Sequence, residues 1–464
     1  MKKFTYLFLI LFATNIILAR AEVKLATIFS DNMVLQQQTL VAIWGTAIKG
    51  KKILISPSWT KKTFSTTVND DGRWITKIPT PVAGGPYTIK ISDGAILTLH
   101  NVLIGEVWIC SGQSNMEVPM RGVANIVKIK NGNDYIIRAR NSQLRFFTVK
   151  HQKAEKPVSD CKGVWVEANS ESVAKFSAIG YLFAKQLQEI LGVPVGIIGS
   201  TFSGTKIEAW MSEKLLLDEF NIPLGTSADK ANSSELFNGM ISSIMGFGIR
   251  GFLWYQGEGN HTSPELYARQ LPAMVEEWRT GWQMDKLPFY YVQIAPYDYN
   301  DKCNSAYMRQ AMADCMKIIP NSGVAILTDA GEEHNIHPMD KEIVAKRLLY
   351  WALAKTYNTA GFAYCGPIFR SMEIKGDEIL VKFNYAETGL TTFGKDLTNF
   401  EIAGSDTVYI QAKATITKEG VTVSSNTVKN PIAVRYAYKD FVVGELYNYE
   451  GIPASSFETL KKTN

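Results

Sequence analysis

The sequence predicts an α/β protein, with a parallel-sheet core at residues 103–360 lying between two β regions, 22–102 and 361–464. Two patterns predict this fold class. Strand-like apolar runs alternate with helix-periodic stretches through the middle of the chain, and short β runs separated by turn residues fill both ends. The length agrees, because 464 residues exceed the roughly 150 residues of an average domain.

The first 21 residues are predicted to be a secretory signal peptide. Lys2 and Lys3 precede an apolar run at 4–18, and Ala19-Arg20-Ala21 has the small residues of a cleavage site. The alternative is a membrane anchor, but the run is short for a spanning helix. Removing this segment takes away three cations and no acid, so the net charge falls from +5 to +2. We therefore expect an exported protein, periplasmic or extracellular, with no membrane segment.

Composition excludes several other classes of protein. The chain has 49 Lys and Arg against 44 Asp and Glu, a balance too even for a nucleic-acid-binding surface. The five cysteines lie far apart without a Cys-x-x-Cys pair, so neither a zinc ribbon nor a dense disulfide framework is expected. The hydrophobic fraction of 46% is that of a globular protein rather than a disordered one.

The two terminal regions are predicted to be β-sandwich-like. In 22–102, runs such as 53–55, 87–91 and 96–99 have strand composition, and Asp70-Asp71-Gly72 and Gly84-Gly85-Pro86 mark turns. No convincing helix interrupts them. The runs 378–383, 408–410 and 420–423 predict the second β region.

The core is predicted to consist of parallel βαβ units. Ligands in such sheets bind outside the carboxyl ends of the strands, so these ends are where chemistry is expected. The strands are predicted at 102–109, 195–199, 250–255, 289–294 and 323–328, and the helices near 176–190, 266–280, 304–318 and 340–356.

Ser114 follows the first core strand, in the run Gly112-Gln113-Ser114-Asn115-Met116. A serine just beyond a buried strand, after a glycine that permits a tight turn, is how α/β enzymes expose a nucleophile. The alternative is a helix N-cap. Both can hold, because a helix N-terminus also favours developing negative charge.

The second and third strands also end in distinctive loops. Small residues at 199–205 allow backbone N–H groups to approach a ligand, as in an oxyanion hole, although a flexible loop would look the same. Gln256, Glu258 and Asn260 follow the third strand and are better suited to hydrogen bonding than to a core.

The last of these strands, 323–328, leads to His334 and His337, two of only five histidines. A histidine at a strand end can be the general base that a serine nucleophile requires. A His-x-x-His pair beside acids could instead bind a metal, but no third ligand cluster is evident, so we expect neither a metal nor a cofactor. The remaining histidines, His100, His151 and His261, are expected to be solvated.

Four motifs and two shorter segments occur in order along the chain. The motifs are Gly-Gln-Ser-Asn-Met at 112–116, Glu-Ala-Trp at 208–210, Trp-Tyr-Gln-Gly-Glu at 254–258 and Ile-His-Pro at 336–338, and the segments are 31–36 and 446–448. Together they resemble the sialate O-acetylesterases, sugar O-acetylesterases of the SGNH hydrolase superfamily. The resemblance implies a flavodoxin-like SGNH core in which Ser114 is the nucleophile and His337 the base. It implies oxyanion donors from the backbone N–H groups of Ser114 and Gly204 and from the side chain of Asn260 or Gln256.

The chain departs from the family pattern beside the histidine. Relatives often have Asp two or three residues before it, where this chain has Asn335 and His334. An amide can fix the imidazole tautomer but cannot stabilise imidazolium as a carboxylate does. We favour a Ser–His dyad; alternatively Glu332, Glu333 or Asp329 supplies an acid.

The resemblance thus implies an exported serine esterase whose partner is an O-acetylated sugar, with O-acetylated sialic acid as the expected substrate. The same machinery could deacetylate xylan or another polysaccharide. A non-catalytic carbohydrate-binding protein is the third alternative, but it would not need a serine and a histidine at separate strand ends.

Overall fold

The computed structural model of the chain describes residues 23–225 and 230–460. The predicted signal peptide, residues 1–21, lies outside them. The fold class is confirmed: a large, mainly parallel sheet with helices lies between two β regions.

The N-terminal region contains two sheets. Strands β1, β3 and β6 form one, and β4, β5, β7 and β8 form the other, with β2 parallel to β8. Strand β4 has one buried face and one exposed face, because Ile53 and Ile55 are buried while Leu54 between them is 40% exposed. The strands are β1 (Lys24–Leu25), β2 (Val34–Gln36), β3 (Leu40–Thr46), β4 (Lys52–Pro57), β5 (Phe64–Thr67), β6 (Arg73–Pro79), β7 (Gly84–Ser92) and β8 (Ile96–Gly112).

Strand β8 belongs to both the N-terminal region and the core. It is a single strand of 17 residues whose first half pairs with β7 and whose second half lies in the middle of the core sheet. The predicted boundary between residues 102 and 103 therefore falls within one continuous strand.

The core sheet continues with β9 (Asn141–Thr148), β10 (Trp165–Ala168), β11 (Val195–Thr201), β12 (Gly251–Tyr255), β13 (Phe289–Val292) and β14 (Ser322–Ala325). The strand order is β10-β9-β11-β8-β12-β13-β14, parallel throughout except at β10. Strands β11-β8-β12-β13-β14 reproduce the flavodoxin-like order 2-1-3-4-5. The extra strand β9 was not predicted, because Asn-Ser-Gln-Leu-Arg-Phe-Phe-Thr begins with polar residues and buries both adjacent phenylalanines.

Helices follow the core strands much as their periodicity predicts. Ser177 caps α4 by accepting a hydrogen bond from Gly180, and Gly192 ends it in the left-handed conformation. The helices are α1 (Ser114–Glu117), α2 (Gly132–Ile137), α3 (Ser170–Lys175), α4 (Ala178–Leu191), α5 (Glu213–Phe220), α6 (Pro264–Trp282), α7 (Ala306–Cys315) and α8 (Lys341–Trp351), with short 3₁₀ or π turns at Ile207–Trp210, Phe237–Ile241, Ser242–Ile244, Glu258–Asn260 and Ala352–Thr356.

The C-terminal region has its own hydrophobic core, which includes Ile379, Phe400, Val421 and Phe457. Its sheets have the orders β15-β16-β21-β20, β19-β18-β22-β24 and β17-β23. The strands are β15 (Ile368–Lys375), β16 (Glu378–Asn384), β17 (Leu390–Thr391), β18 (Phe400–Ala403), β19 (Tyr409–Gln411), β20 (Lys413–Thr417), β21 (Gly420–Ser424), β22 (Ala433–Tyr436), β23 (Tyr447–Asn448) and β24 (Phe457–Glu458).

The C-terminal region is joined to the core by buried hydrogen bonds. Arg309 of α7 donates to Ser456, and Thr328 donates to the carbonyl of Ala454. Along the described part of the chain, no helix is long and apolar enough to cross a membrane.

Candidate active site

The candidate site forms where the order of the parallel strands changes direction. Strand β8 lies between β11 and β12, and at its carboxyl end Gly112 pairs with Thr201 on one side and Tyr255 on the other. Gly112 has φ +131°, and a Cβ here would lie 2.1 Å from the carbonyl oxygen of Tyr255. Only glycine allows this close approach, which turns the chain into α1 at Ser114.

Ser114 and His337 meet at this edge of the sheet. Ser114 Oγ lies 2.8 Å from His337 Nε2, and both residues are half-buried. Burial, and then the charge of Lys341, lower the pKa of His337 to about 4. At neutral pH the imidazole is therefore uncharged and can accept the hydroxyl proton.

Two backbone donors lie in the loops around Ser114. Within residues 23–225 and 230–460, the N–H groups of Ser114 and Gly204 make no hydrogen bond, whereas those of Met116 and Glu117 donate to the Gln113 carbonyl. Gly204 has φ +68°, in the left-handed region. The arrangement leaves the Ser114 and Gly204 N–H groups available to a negatively charged oxygen.

The side-chain amides of Gln256 and Asn260, the predicted alternatives for a side-chain oxyanion donor, donate hydrogen bonds to buried groups of the protein. Gln256 Nε2 donates to Thr205 O and to Asn260 Oδ1, at 3.1 and 2.8 Å, which uses both of its N–H bonds. Asn260 is 3% exposed, and its Nδ2 donates to Glu208 Oε2 at 3.0 Å. These amides instead satisfy buried polar groups and hold the loop after β12 against the turn at Ile207–Trp210.

Asp329 has a structural partner rather than a contact with His337. Its two carboxylate oxygens accept hydrogen bonds from Arg347 at 2.7 Å each. Both side chains are largely buried, with 12% and 6% exposed. This bidentate pair joins the loop after β14 to α8.

The remaining candidates for a third catalytic residue brace the histidine loop or face solvent. Glu332 accepts hydrogen bonds from Asn335 Nδ2 and from the backbone of Met339, and Asn335 Oδ1 accepts from the backbone N–H of His337. The exposed Glu333 lies 3.8 Å from His334. Within the described ranges, none of these side chains and no other residue hydrogen-bonds to His337 Nδ1. Residues 23–225 and 230–460 contain no group of three or more His, Cys, Asp and Glu side chains that could hold a metal ion.

Three buried polar side chains form a hydrogen-bonded network next to Ser114 and His337, and the sequence did not predict this network. Lys341 Nζ donates to Asn115 Oδ1 at 2.6 Å, and Asn115 Nδ2 donates to Glu258 Oε1 at 2.5 Å. All three side chains are at least 95% buried. Asn115 and Glu258 belong to the motifs quoted above, but a lysine in the first turn of a helix carries no sequence signal that it is buried.

A second polar cluster surrounds Glu117, the last residue of the helix α1 that begins at Ser114. Glu117 Oε1 lies 2.7 Å from His151 Nε2, and Ser203 donates a hydrogen bond to the other carboxylate oxygen. The His151 ring stacks on Phe202 with centroids 4.3 Å apart. The hydrogen bond to Glu117 raises the pKa of His151 above its usual value. The predicted solvated histidine is therefore a half-exposed, ion-paired group.

His261 also differs from the expected solvated histidine. Its side chain is only 16% exposed and pairs with Asp301 at 2.7 Å. Its ring stacks on Tyr299.

Comparison with known proteins yields three related findings. The family model described as carbohydrate esterase, sialic acid-specific acetylesterase matches residues 104–344. Proteins named sialate O-acetylesterase are 28% identical in Homo sapiens, over 82% of this chain and 80% of that protein, and 26% identical in Pongo abelii, over 89% and 87%. A crystal structure of a carbohydrate acetylesterase from Xanthomonas citri has 31% identity and a TM-score of 0.87, covering 95% of this chain and 100% of that chain.

Proposed function

Because the chain belongs to the carbohydrate esterase family described as sialic acid-specific acetylesterases, we propose that it removes O-acetyl groups from sialic acid through Ser114 and His337. From the signal-peptide pattern of residues 1–21 we also propose that the protein is exported. Membership makes the protein a carboxylic ester hydrolase that acts on an O-acetylated sugar, which sets aside a purely carbohydrate-binding role. The observation that carries the catalytic part is the 2.8 Å contact between Ser114 Oγ and His337 Nε2 at the carboxyl ends of the core strands.

In the proposed reaction, Ser114 Oγ attacks the acetyl carbonyl carbon while His337 Nε2 takes its proton. The backbone N–H groups of Ser114 and Gly204 hold the oxyanion, each contributing about 3 kcal/mol. His337 then gives the proton to the leaving sugar oxygen. In the second half, His337 takes a proton from a water molecule whose oxygen attacks the acetyl carbon, and it then gives that proton to Ser114 Oγ as the acetyl-enzyme bond breaks and acetate leaves.

The proposed sugar is sialic acid, which carries a carboxylate. The named relatives support this choice, and so do the cations at the rim of the site. Lys230 lies alongside Gly204, and Lys153 Nζ lies 5.7 Å from the centre of the Phe202 ring, beside His151. Since the predicted mature charge is only +2, attraction of an anionic sugar would have to come from such local groups.

Acetate release from O-acetylated sialic acid and from acetylxylan, measured side by side, tests the substrate. We expect kcat/KM to be at least about tenfold higher for the sialic acid, which corresponds to about 1.4 kcal/mol of differential binding. Equal or faster turnover of acetylxylan would assign the enzyme to polysaccharide deacetylation instead.

Export is tested by N-terminal sequencing of the protein. The protein recovered outside the cytoplasm should begin at Glu22, and retention of residues 1–21 would contradict the proposed export.

We expect that no carboxylate near His337 acts as a third catalytic residue. Glu332→Gln, Glu333→Gln and Asp329→Asn should each keep at least about one tenth of the parent kcat, whereas loss of a triad acid costs about 10⁴-fold. Asp329→Asn should also lower the melting temperature, because it leaves the largely buried Arg347 without its anionic partner. The measurements are kcat per folded molecule and thermal unfolding.

Glu333→Gln should affect stability least of the three, because Glu333 is solvent-exposed. A loss of about 10⁴-fold in any one of the three variants, with unfolding unchanged, would identify that residue as the acid of a triad.

A further inference from the structure

Lys341 is buried beside the proposed catalytic histidine. It is the first residue of α8, four positions after His337, and it is 1% exposed. In the described part of the chain, no carboxylate oxygen lies within 4.0 Å of its Nζ. Burying an ammonium group without a direct ion pair is costly, so a role in the site would explain its position.

The hydrogen bonds of Lys341 connect the loops that carry the proposed catalytic residues. Its acceptor, Asn115, directly follows Ser114. The Asn115 Nδ2 group donates to Ile336 O at 3.0 Å, next to His337, and to Glu258 in the loop after β12. One lysine and one amide therefore tie together three strand-end loops.

Burial and the neighbouring carboxylates act in opposite directions on the pKa of Lys341. Burial lowers the pKa of Lys341 to about 7, and the charges of Glu258, Glu332 and Asp340 act in the opposite direction. Asp340 also pairs with Lys130 and caps α8, while Glu332 accepts hydrogen bonds from its own loop. After burial, the cation of Lys341 is what lowers the pKa of His337.

We propose that Lys341 is a positioning residue of the active site: through Asn115 it holds the serine and histidine loops in register, and it places a positive charge next to His337. The inference rests on the proposed Ser–His mechanism. A nearby cation disfavours imidazolium, so the free base persists to lower pH. The imidazolium formed during the reaction is then a stronger acid towards the leaving sugar oxygen.

The test is the pH dependence of kcat/KM for a soluble acetyl ester in the parent enzyme, Lys341→Gln and Lys341→Met. Activity should fall in acid as His337 becomes protonated, with a midpoint near pH 4 in the parent. Both neutral variants should raise this midpoint by about one pH unit. Lys341→Met should also lose about tenfold in plateau kcat relative to Lys341→Gln, because the amide can still donate to Asn115.

Lys346→Met is the matched control. Lys346 lies on the same helix, half-exposed and paired with Glu342 at 2.8 Å. Its removal should leave both the midpoint and the plateau unchanged. A uniform loss of activity in the Lys341 variants, with an unshifted midpoint and normal thermal unfolding, would make Lys341 a structural residue only and overturn the proposal.

A measurement that keeps Lys341 in place covers the case in which both variants fail to fold. In Ser114→Ala, the His337 imidazole followed by NMR should titrate near pH 4 and show a second, smaller shift near pH 7 as Lys341 loses its proton. A single titration near the ordinary value of about 6.5 would overturn the charge effect. Activity retained in His337→Ala would instead refute the Ser–His mechanism, so the two failures are distinguishable.

Discussion

Ser114→Ala is expected to lower kcat for acetyl-ester hydrolysis by about 10⁵-fold, leaving only what the oxyanion donors and substrate binding supply. The Oγ atom is the proposed nucleophile, and its one side-chain hydrogen bond among the described residues is to His337. Because the side chain is half-buried and small, the variant should fold normally. Steady-state hydrolysis of p-nitrophenyl acetate and thermal unfolding provide the two measurements.

Ser203→Ala is the control for this experiment. Ser203 lies at the rim of the same site, where it donates to Glu117, and it has no proposed part in bond making. We expect it to keep kcat within about tenfold of the parent, the scale of one lost hydrogen bond. Ser114→Ala with more than about 1% of parent activity would contradict the proposed nucleophile.

Gly112→Ala is expected to destabilise the protein by more than about 3 kcal/mol or to prevent folding. The added Cβ would lie 2.1 Å from the carbonyl oxygen of Tyr255 and 2.7 Å from its carbonyl carbon. Backbone atoms of a buried central strand cannot move aside cheaply, and φ +131° is itself strained for alanine. Any folded fraction should have lost most activity, because the turn into Ser114 would be displaced. Chemical denaturation and kcat measure the two effects.

Gly192→Ala measures the cost of alanine at a positive φ where the added Cβ meets no steric clash. Gly192 also has a positive φ, +66°, but nothing lies within 4 Å of the position of its Cβ. We expect a loss of about 1 kcal/mol with full activity. Equal stability losses in the two variants would show that the contact with Tyr255 is unimportant.

The regular elements could be predicted because each depends on local periodicity. The fully buried runs that became β11, β12 and β13 and the amphipathic stretch that became α4 carry their own signals. Strand β9 could not be predicted, because its pairing with β11 depends on partners such as Val195 opposite Leu144, which lie about fifty residues apart in the sequence. The continuity of β8 through the predicted domain boundary at residue 102 could not be predicted either, because it depends on how β8 pairs with β7 and with the core strands.

The position of the candidate site at the strand ends could be predicted from the sequence, but the hydrogen-bond partners of individual side chains could not. An amide such as Gln256 looks available in a sequence, and only its neighbours reveal that both N–H bonds are used. The same applies to Asp329, whose partner Arg347 lies on the next helix. Hydrogen bonding is decided by positions in space, which a motif does not specify.

By itself, the sequence determined the α/β core between β regions, and it singled out Ser114 and His337, because periodicity and motifs are local. The tertiary structure alone decided which polar groups are already satisfied. It also brought the side chains of Lys341, Asn115 and Glu258 into one buried hydrogen-bonded network beside His337. Burial and charge–charge distances arise only when separate segments pack together, and these are the quantities that set the pKa of the histidine.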